Sequence, residues 1–201
     1  MRKVDPEKHA ARRRQIVAAA VLCFARKGFH RTSTAEICAE AGMSPGNLFH
    51  YFASKQAIIA AIVDQEGLET AAYFEEARQA EDLFGQVLGF MDLVAELAAD
   101  PTYARLALDI SAEAMRDEEV AARVARNDAA LRGHLREILA AAAERGQIDG
   151  SLDLDGAATW IAALVDGIFA RVAVDPAFRP TGEKPMLRLL LSRFLRSGGP
   201  G

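Results

Sequence analysis

Cysteine occurs only twice in these 201 residues, as Cys23 and Cys38, which excludes a disulfide framework as the source of stability. None is needed, because a chain of this length that is 51% hydrophobic fills one large core or two small ones by itself. Both cysteines fall on apolar helical faces, where free thiols act as small hydrophobes, in keeping with a reducing compartment. Strand signals are missing too. No alternating apolar and polar run has any length, no repeat has a solenoid period, and the only compositional bias is helical alanine. That leaves an all-α fold of about nine helices. There is no HExxH, no nucleophile elbow and no phosphate-binding glycine loop, and His9, His30, His50 and His134 lack metal-ligating partners at useful spacing. Neither an enzyme, a metal site nor a cofactor is expected. The first residues, MRKVDPEKHAARRR, are polar and charged with no signal-peptide core, and no later apolar run approaches the length that spans a bilayer. The expectation is a soluble, cytoplasmic protein with no membrane partner.

What is present is unevenly distributed. The whole chain carries −4, a balance that argues against a protein coating nucleic acid non-specifically. Through Lys55, however, ten basic residues (Arg2, Lys3, Lys8, Arg12, Arg13, Arg14, Arg26, Lys27, Arg31 and Lys55) outnumber four acidic ones (Asp5, Glu7, Glu36 and Glu40), giving +6, and the remainder carries −10. A local DNA-binding module joined to a domain with another job has this footprint.

The stretch Thr32 to Lys55, TSTAEICAEAGMSPGNLFHYFASK, organises the rest. Ser33 can cap a helix while Glu36, three residues on, reaches back to the Ser33 amide in a capping box. Ile37 and Ala41 share one face, and Gly42 is free to adopt the positive φ at which that helix must stop. Met43 puts an apolar side chain inside the turn. Ser44 is a good N-cap, and Pro45 sits at the first helical position, where a missing amide hydrogen costs nothing. A second helix follows with Leu48, Phe49 and Phe52 as its apolar face and Pro45, Gly46, Asn47, His50 and Tyr51 outward. Two helices joined by a short Gly-containing turn form a helix-turn-helix, whose second helix enters a major groove N-terminus first, with Gly46 letting the backbone approach the duplex.

The pattern T-(S/T)-x-x-x-I-x-x-x-A-G-x-S-x-G-x-L-(Y/F)-x-Y-F-x-x-K, carried by residues 32 to 55 within a match from about Ile16 to about Ile62, resembles the DNA-binding domain of the TetR family of transcriptional regulators. The resemblance implies a homodimer that binds double-stranded DNA at a palindromic operator. It implies phosphate contacts from Ser33, Thr34, Ser44, Tyr51 and Lys55, and contacts to base edges or the thymine methyl from Pro45, Gly46, Asn47 and His50, with Asn47 and His50 best placed to read by hydrogen bond. At Phe49 the family more often has Tyr, so that hydroxyl is missing here, and Phe49 is expected simply to pack. His50 has the alternative of being an ordinary surface histidine.

Taken in order, residues up to about Glu7 read as a mobile basic arm or a solvated tail. A first helix, with Ile16, Ala20, Cys23 and Phe24 on one stripe, ends near Gly28, and Phe29 plugs the corner. Ser54 caps a helix running from Lys55 toward Ala77. Helical periodicity resumes near Glu81 and stops at Asp100-Pro101, then continues through Met115. Asp117 opens a long helix ending at Arg145-Gly146, Asp153 caps an apolar helix stopped by Asp175-Pro176, Phe178 to Pro185 reads as a loop, and a last helix precedes SGGPG. The expected division is a DNA-binding domain over 1–55 and a helical effector-binding and dimerisation domain over 56–201.

The last two helices are apolar over a wide arc. Ile161, Leu164, Ile168, Val172, Leu187, Leu190, Leu191 and Phe194 are either core residues or the four-helix dimer interface that the resemblance implies. Phe90, Met91, Tyr103, Met115, Asn127, His134 and Trp160 combine apolar bulk with polar handles and are the candidates for a small apolar effector, with plain core packing as the alternative. Repressor and activator both fit these residues, and a non-specific DNA binder is disfavoured by the acidic remainder.

Overall fold

The computed structural model describes residues 5–196. Among them all regular structure is helical: α1 (Pro6–Lys27), α2 (Thr34–Glu40), α3 (Pro45–Leu48), α4 (Lys55–Ala77), α5 (Leu83–Ala99), α6 (Pro101–Ala114), α7 (Glu118–Glu144), α8 (Leu154–Val174), a 3-10 turn (Pro180–Glu183) and α9 (Lys184–Arg196). The expected arm is shorter than its composition suggested. The Asp5 side chain accepts from the amides of Glu7 and Lys8 at 3.1 and 3.4 Å, and Pro6 occupies N1, so the helix begins inside that arm. Arg2 and Lys3 lie outside the described residues.

The helices form two compact units, and these do not divide where the sequence boundary fell. The first comprises residues up to Gln65 together with Pro101–Val124; the second comprises Glu66–Asp100 and the chain from Ala125 onward. The reason is apolar chemistry. Leu106 and Ile110 of α6 and Val120 of α7 are buried in one core with Ile16, Phe24, Phe29, Ile37, Leu48, Ile58 and Ile59. Each fully buried side chain of this size is worth about 1.5 to 3 kcal/mol, so α6 is held to the N-terminal helices whatever its distance along the chain.

In the second unit Phe74, Leu83, Val87, Met91, Leu135, Ile138, Leu139, Ile161, Leu191 and Leu195 form the core. The N-terminus of α5 is satisfied from α7's end: Leu83 and Phe84 amides donate to Gln147 Oε1 at 2.8 and 3.1 Å, and Gly85 donates to Asp82 at 2.8 Å. Ion pairs Arg188–Asp92 and Lys184–Glu96 join α9 to α5. Asp153 has the extended backbone of an N-cap but makes no side-chain cap bond. The expected loop before the last helix contains the 3-10 turn, and α9 begins at Lys184, with Pro185 accommodated in its first turn.

One expectation fails at α8. By length and composition it is long and apolar enough to cross a membrane, its high mean hydropathy outweighing the charges of Asp166 and Arg171. Ala157, Ala158, Ile161 and Ala162 are buried in the second core, while Trp160, at 67% exposure, and Val174 are not.

Candidate nucleic-acid interface

The helix-turn-helix is built from caps. At Ser33 the capping box is complete: the Glu36 amide donates to Ser33 Oγ at 3.2 Å, and the Ser33 amide donates to Glu36 Oε2 at 2.8 Å. The Ser33 hydroxyl also donates to Glu36 at 3.0 Å. Ser33 therefore spends both its amide and its hydroxyl internally, which leaves its neighbour Thr34, at the first turn of α2, as the candidate for the expected phosphate contact. Glu36 is held down to about 2, first by its hydrogen bond from Lys27 and then by the Ser33 amide and hydroxyl.

α2 ends in a Schellman turn. Gly42 adopts φ +60, its amide donates to Ala39 O at 3.2 Å, and the Met43 amide donates to Cys38 O at 2.9 Å. Met43 packs against the first core as expected. Ser44 then takes the N-cap conformation without a side-chain cap bond, so its hydroxyl is not consumed by the helix it opens.

The second helix is short. α3 proper spans Pro45–Leu48, and helical turns persist beyond it through Tyr51 N–H to Leu48 O (2.9 Å) and Phe52 N–H to the same oxygen (3.0 Å). Leu48 and Phe52 are buried; Pro45, Gly46 and His50 are exposed and Asn47 half-buried. Space around Gly46 is open, with no heavy atom within 4 Å of where a Cβ would stand. Phe49 departs from expectation: it is 54% exposed rather than packed. With about 100° between successive residues, Leu48 and Phe52 fix the inward direction, and Phe49 lies on the other strip, four residues beyond Pro45. Tyr51, expected outward, is half-buried against the first core, with His9's ring centroid 4.8 Å away. Arg13 secures this end of the helix by donating to Tyr51 O at 2.5 Å while its guanidinium lies 4.1 Å above the Phe52 ring.

Lys55 is the largest reassignment. Its ammonium donates to three carbonyls of the α1–α2 connection, Phe29 O at 2.6 Å, Thr32 O at 2.9 Å and His30 O at 3.3 Å, and lies over the Phe29 ring. Burial lowers its pKa, with Glu113 acting in the opposite direction. All three donors are used, so a phosphate contact by the side chain would require breaking this clamp. Two α6 carboxylates hold the same connection. The Phe29 amide donates to Asp109 at 3.0 Å, and buried Glu113 lies 3.3 Å from His30 Nε2, without the alignment of a hydrogen bond. Sequence reasoning missed these residues because they lie some eighty positions away and follow no local pattern.

The positive charge of this region is thus largely committed. Arg26 pairs with Glu40 and Lys27 with Glu36, both lining a cleft of about 480 Å³ between α1 and α2. Arg31 donates to Lys27 O at 2.9 Å, and Arg12 to Gln15 and Gly42 O. Arg14 is exposed.

The expected effector residues are divided between the two units. Tyr103 and Met115 belong to the first unit, and Met115 is 88% exposed; Trp160 faces solvent. Phe90 and Met91 are buried in the second core. There Tyr73, Phe74 and Phe90 form an aromatic cluster, on whose Phe74 ring His134 stacks at 5.5 Å. Asn127 packs against Gly67, where a Cβ would meet its side chain at 2.5 Å. Of the expected dimer residues, Ile161 and Leu191 are interior, for each completes the protomer's own core. Leu164, Ile168, Val172, Leu187 and Phe194 are half-buried and Leu190 is exposed. Trp160, Ala163, Gly167 and Val174 along α8, and Met186 and Leu189 along α9, are exposed near them, at intervals of three, four or seven residues.

Comparison with known proteins gives two family-model matches: bacterial regulatory proteins of the tetR family over residues 16–62, and the C-terminal domain of BetI-type transcriptional repressors over residues 89–197. The HTH-type transcriptional regulator UidR of Escherichia coli (strain K12) is 27% identical over 188 residues, covering 91% of this chain and 92% of UidR. Among solved structures, Salmonella enterica GusR superposes with a TM-score of 0.76 at 28% identity, covering 92% of this chain and 95% of GusR. A SmeT–triclosan complex shares the fold, with a TM-score of 0.76 at 23% identity over 95% of this chain and 96% of SmeT.

Proposed function

The chain belongs to the tetR family of bacterial regulatory proteins, a DNA-binding, non-enzymatic class, and from that premise we propose that it is a ligand-responsive repressor binding a palindromic operator as a homodimer. The observation that carries this is the exposed strip of Pro45, Gly46, Phe49 and His50, presented on a helix-turn-helix whose first helix is closed by a complete capping box, in a chain whose C-terminal half matches a repressor domain. Thr34, Ser44 and Tyr51 would hold phosphates and fix register, while His50 and the partly exposed Asn47 would reach base edges. The exposed apolar residues of α8 and α9 would pair with those of a second copy in an isologous interface. The effector would be a small apolar molecule entering the second unit near the Phe74–Phe90–His134 cluster; SmeT, which shares the fold, forms a complex with triclosan. It would act by favouring the dimer state in which the two short helices are mis-spaced for DNA, a coupling of typically about 1 to 3 kcal/mol. Such a protein works in the cytoplasm, where the DNA is.

Selection of duplexes from a random library by the full-length protein tests the reading. Enriched sites should be inverted repeats with half-sites a whole number of turns apart, about 34 to 36 Å each, and a promoter carrying such a site should be silenced by the protein. Activation of that promoter, or enrichment of single half-sites, would overturn the proposal. Ligands found by a thermal-shift screen should weaken operator binding, and the operator should weaken ligand binding by the same factor.

A further inference from the structure

We propose that Phe49 is a specificity-determining residue that reads thymine through its 5-methyl group; the inference rests on the DNA-binding reading above. Three observations converge. Phe49 retains helical backbone (φ −66, ψ −14) at the end of α3, yet its ring is 54% exposed, whereas Leu48 and Phe52 on either side of it are buried. It lies one helical turn beyond Pro45, and His50 one turn beyond Gly46, so the four make a continuous exposed strip. Gly46 leaves that strip open, with nothing within 4 Å of a Cβ position, so the helix can seat deeply enough for a ring three residues on to meet a base edge.

The chemistry then selects the partner. A phenyl ring has no hydroxyl, so Phe49 cannot donate to a phosphate or a base acceptor. In the major groove the one apolar group a base pair presents is the thymine 5-methyl; cytosine at the same place offers only hydrogen. Phe49 on a thymine methyl would bury part of the ring now exposed and discriminate T·A from C·G without a hydrogen bond. Neighbouring His50 would read by hydrogen bond alongside it.

The test uses the full-length protein and the duplex enriched from the random library. Thymines are replaced by deoxyuridine one symmetric pair at a time, which deletes the methyl and preserves pairing. One pair should weaken wild-type binding about fourfold per methyl, so about fifteenfold for both half-sites. In Phe49→Ala that loss should vanish, while responses at other positions persist and the melting temperature is unchanged. Should Phe49→Ala bind too weakly to compare, Phe49→Leu serves, and a methyl dependence equal to wild type in it overturns the inference. So does an enriched duplex whose binding ignores every thymine methyl. A library from which no duplex is enriched overturns the DNA-binding reading and this inference with it, a result distinct from the other two.

Discussion

Lys55 shows how much a single side chain's surroundings decide. At the start of α4, after the Ser54 cap, a lysine invites assignment to a phosphate, yet its ammonium is spent on Phe29 O, His30 O and Thr32 O. Lys55→Met should therefore destabilise the first unit by about 1.5 to 3 kcal/mol, the worth of charge-assisted hydrogen bonds. It should also lower affinity for all operators without changing the salt dependence. A phosphate contact would instead reduce the slope of log K against log salt by about one, so titrations at several salt concentrations separate the two roles. Glu36 gives a second prediction. Its carboxylate is held near 2 in the folded protein, against an ordinary value of 4.5, so it stabilises the fold above about pH 4.5 and that contribution disappears as pH falls through 2. The difference in melting temperature between wild type and Glu36→Gln should shrink steadily over that window.

At the scale of elements, local signals carry most of what holds the helix-turn-helix in shape. Ser33 and Glu36 close the capping box, Gly42 takes the positive φ of the turn, and Ser44 and Pro45 stand at the N-cap and first position of α3, Ser44 without a side-chain cap bond. Gly42 has nothing near its Cβ position, so Gly42→Ala should cost only the conformational penalty of a left-handed residue, about 1 to 2 kcal/mol in chemical denaturation. Phe49 is where periodicity misleads at this scale. Apolar spacing marks 48, 49 and 52 alike, but a helix of one turn against a small core has room for two of them, and Leu48 and Phe52 fill it. The domain boundary moved for a similar reason. Asp109, Glu113, Leu106 and Ile110 attach α6 to the first unit across many intervening residues, and no window of sequence reports such a pairing.

For the whole molecule the central expectation is self-association through α8 and α9. The side chains that decide it are those left outside the protomer core: Trp160 and Val174, with Met186, Leu189 and Leu190. Trp160→Asp combined with Leu190→Glu should give a folded monomer by sedimentation, with helical content unchanged and operator affinity lost. Ile161→Ala should behave oppositely. It empties a buried site and should lower stability by roughly 2 to 5 kcal/mol while the protein still associates. If the exposed pair leaves association intact, the interface lies elsewhere.

The helical class, the helix-turn-helix and the helix boundaries at Gly28, Gly42 and Gly146 were legible in the sequence, because each depends on residues within one or two turns of each other. The packing of distant segments was needed to show that Lys55 clamps a loop, that Phe49 faces outward and that Ile161 and Leu191 face inward. Helical periodicity says that a face is apolar but not which neighbour covers it, and a charged group's role follows from the partners the fold brings within hydrogen-bond reach. Those partners come from distant segments.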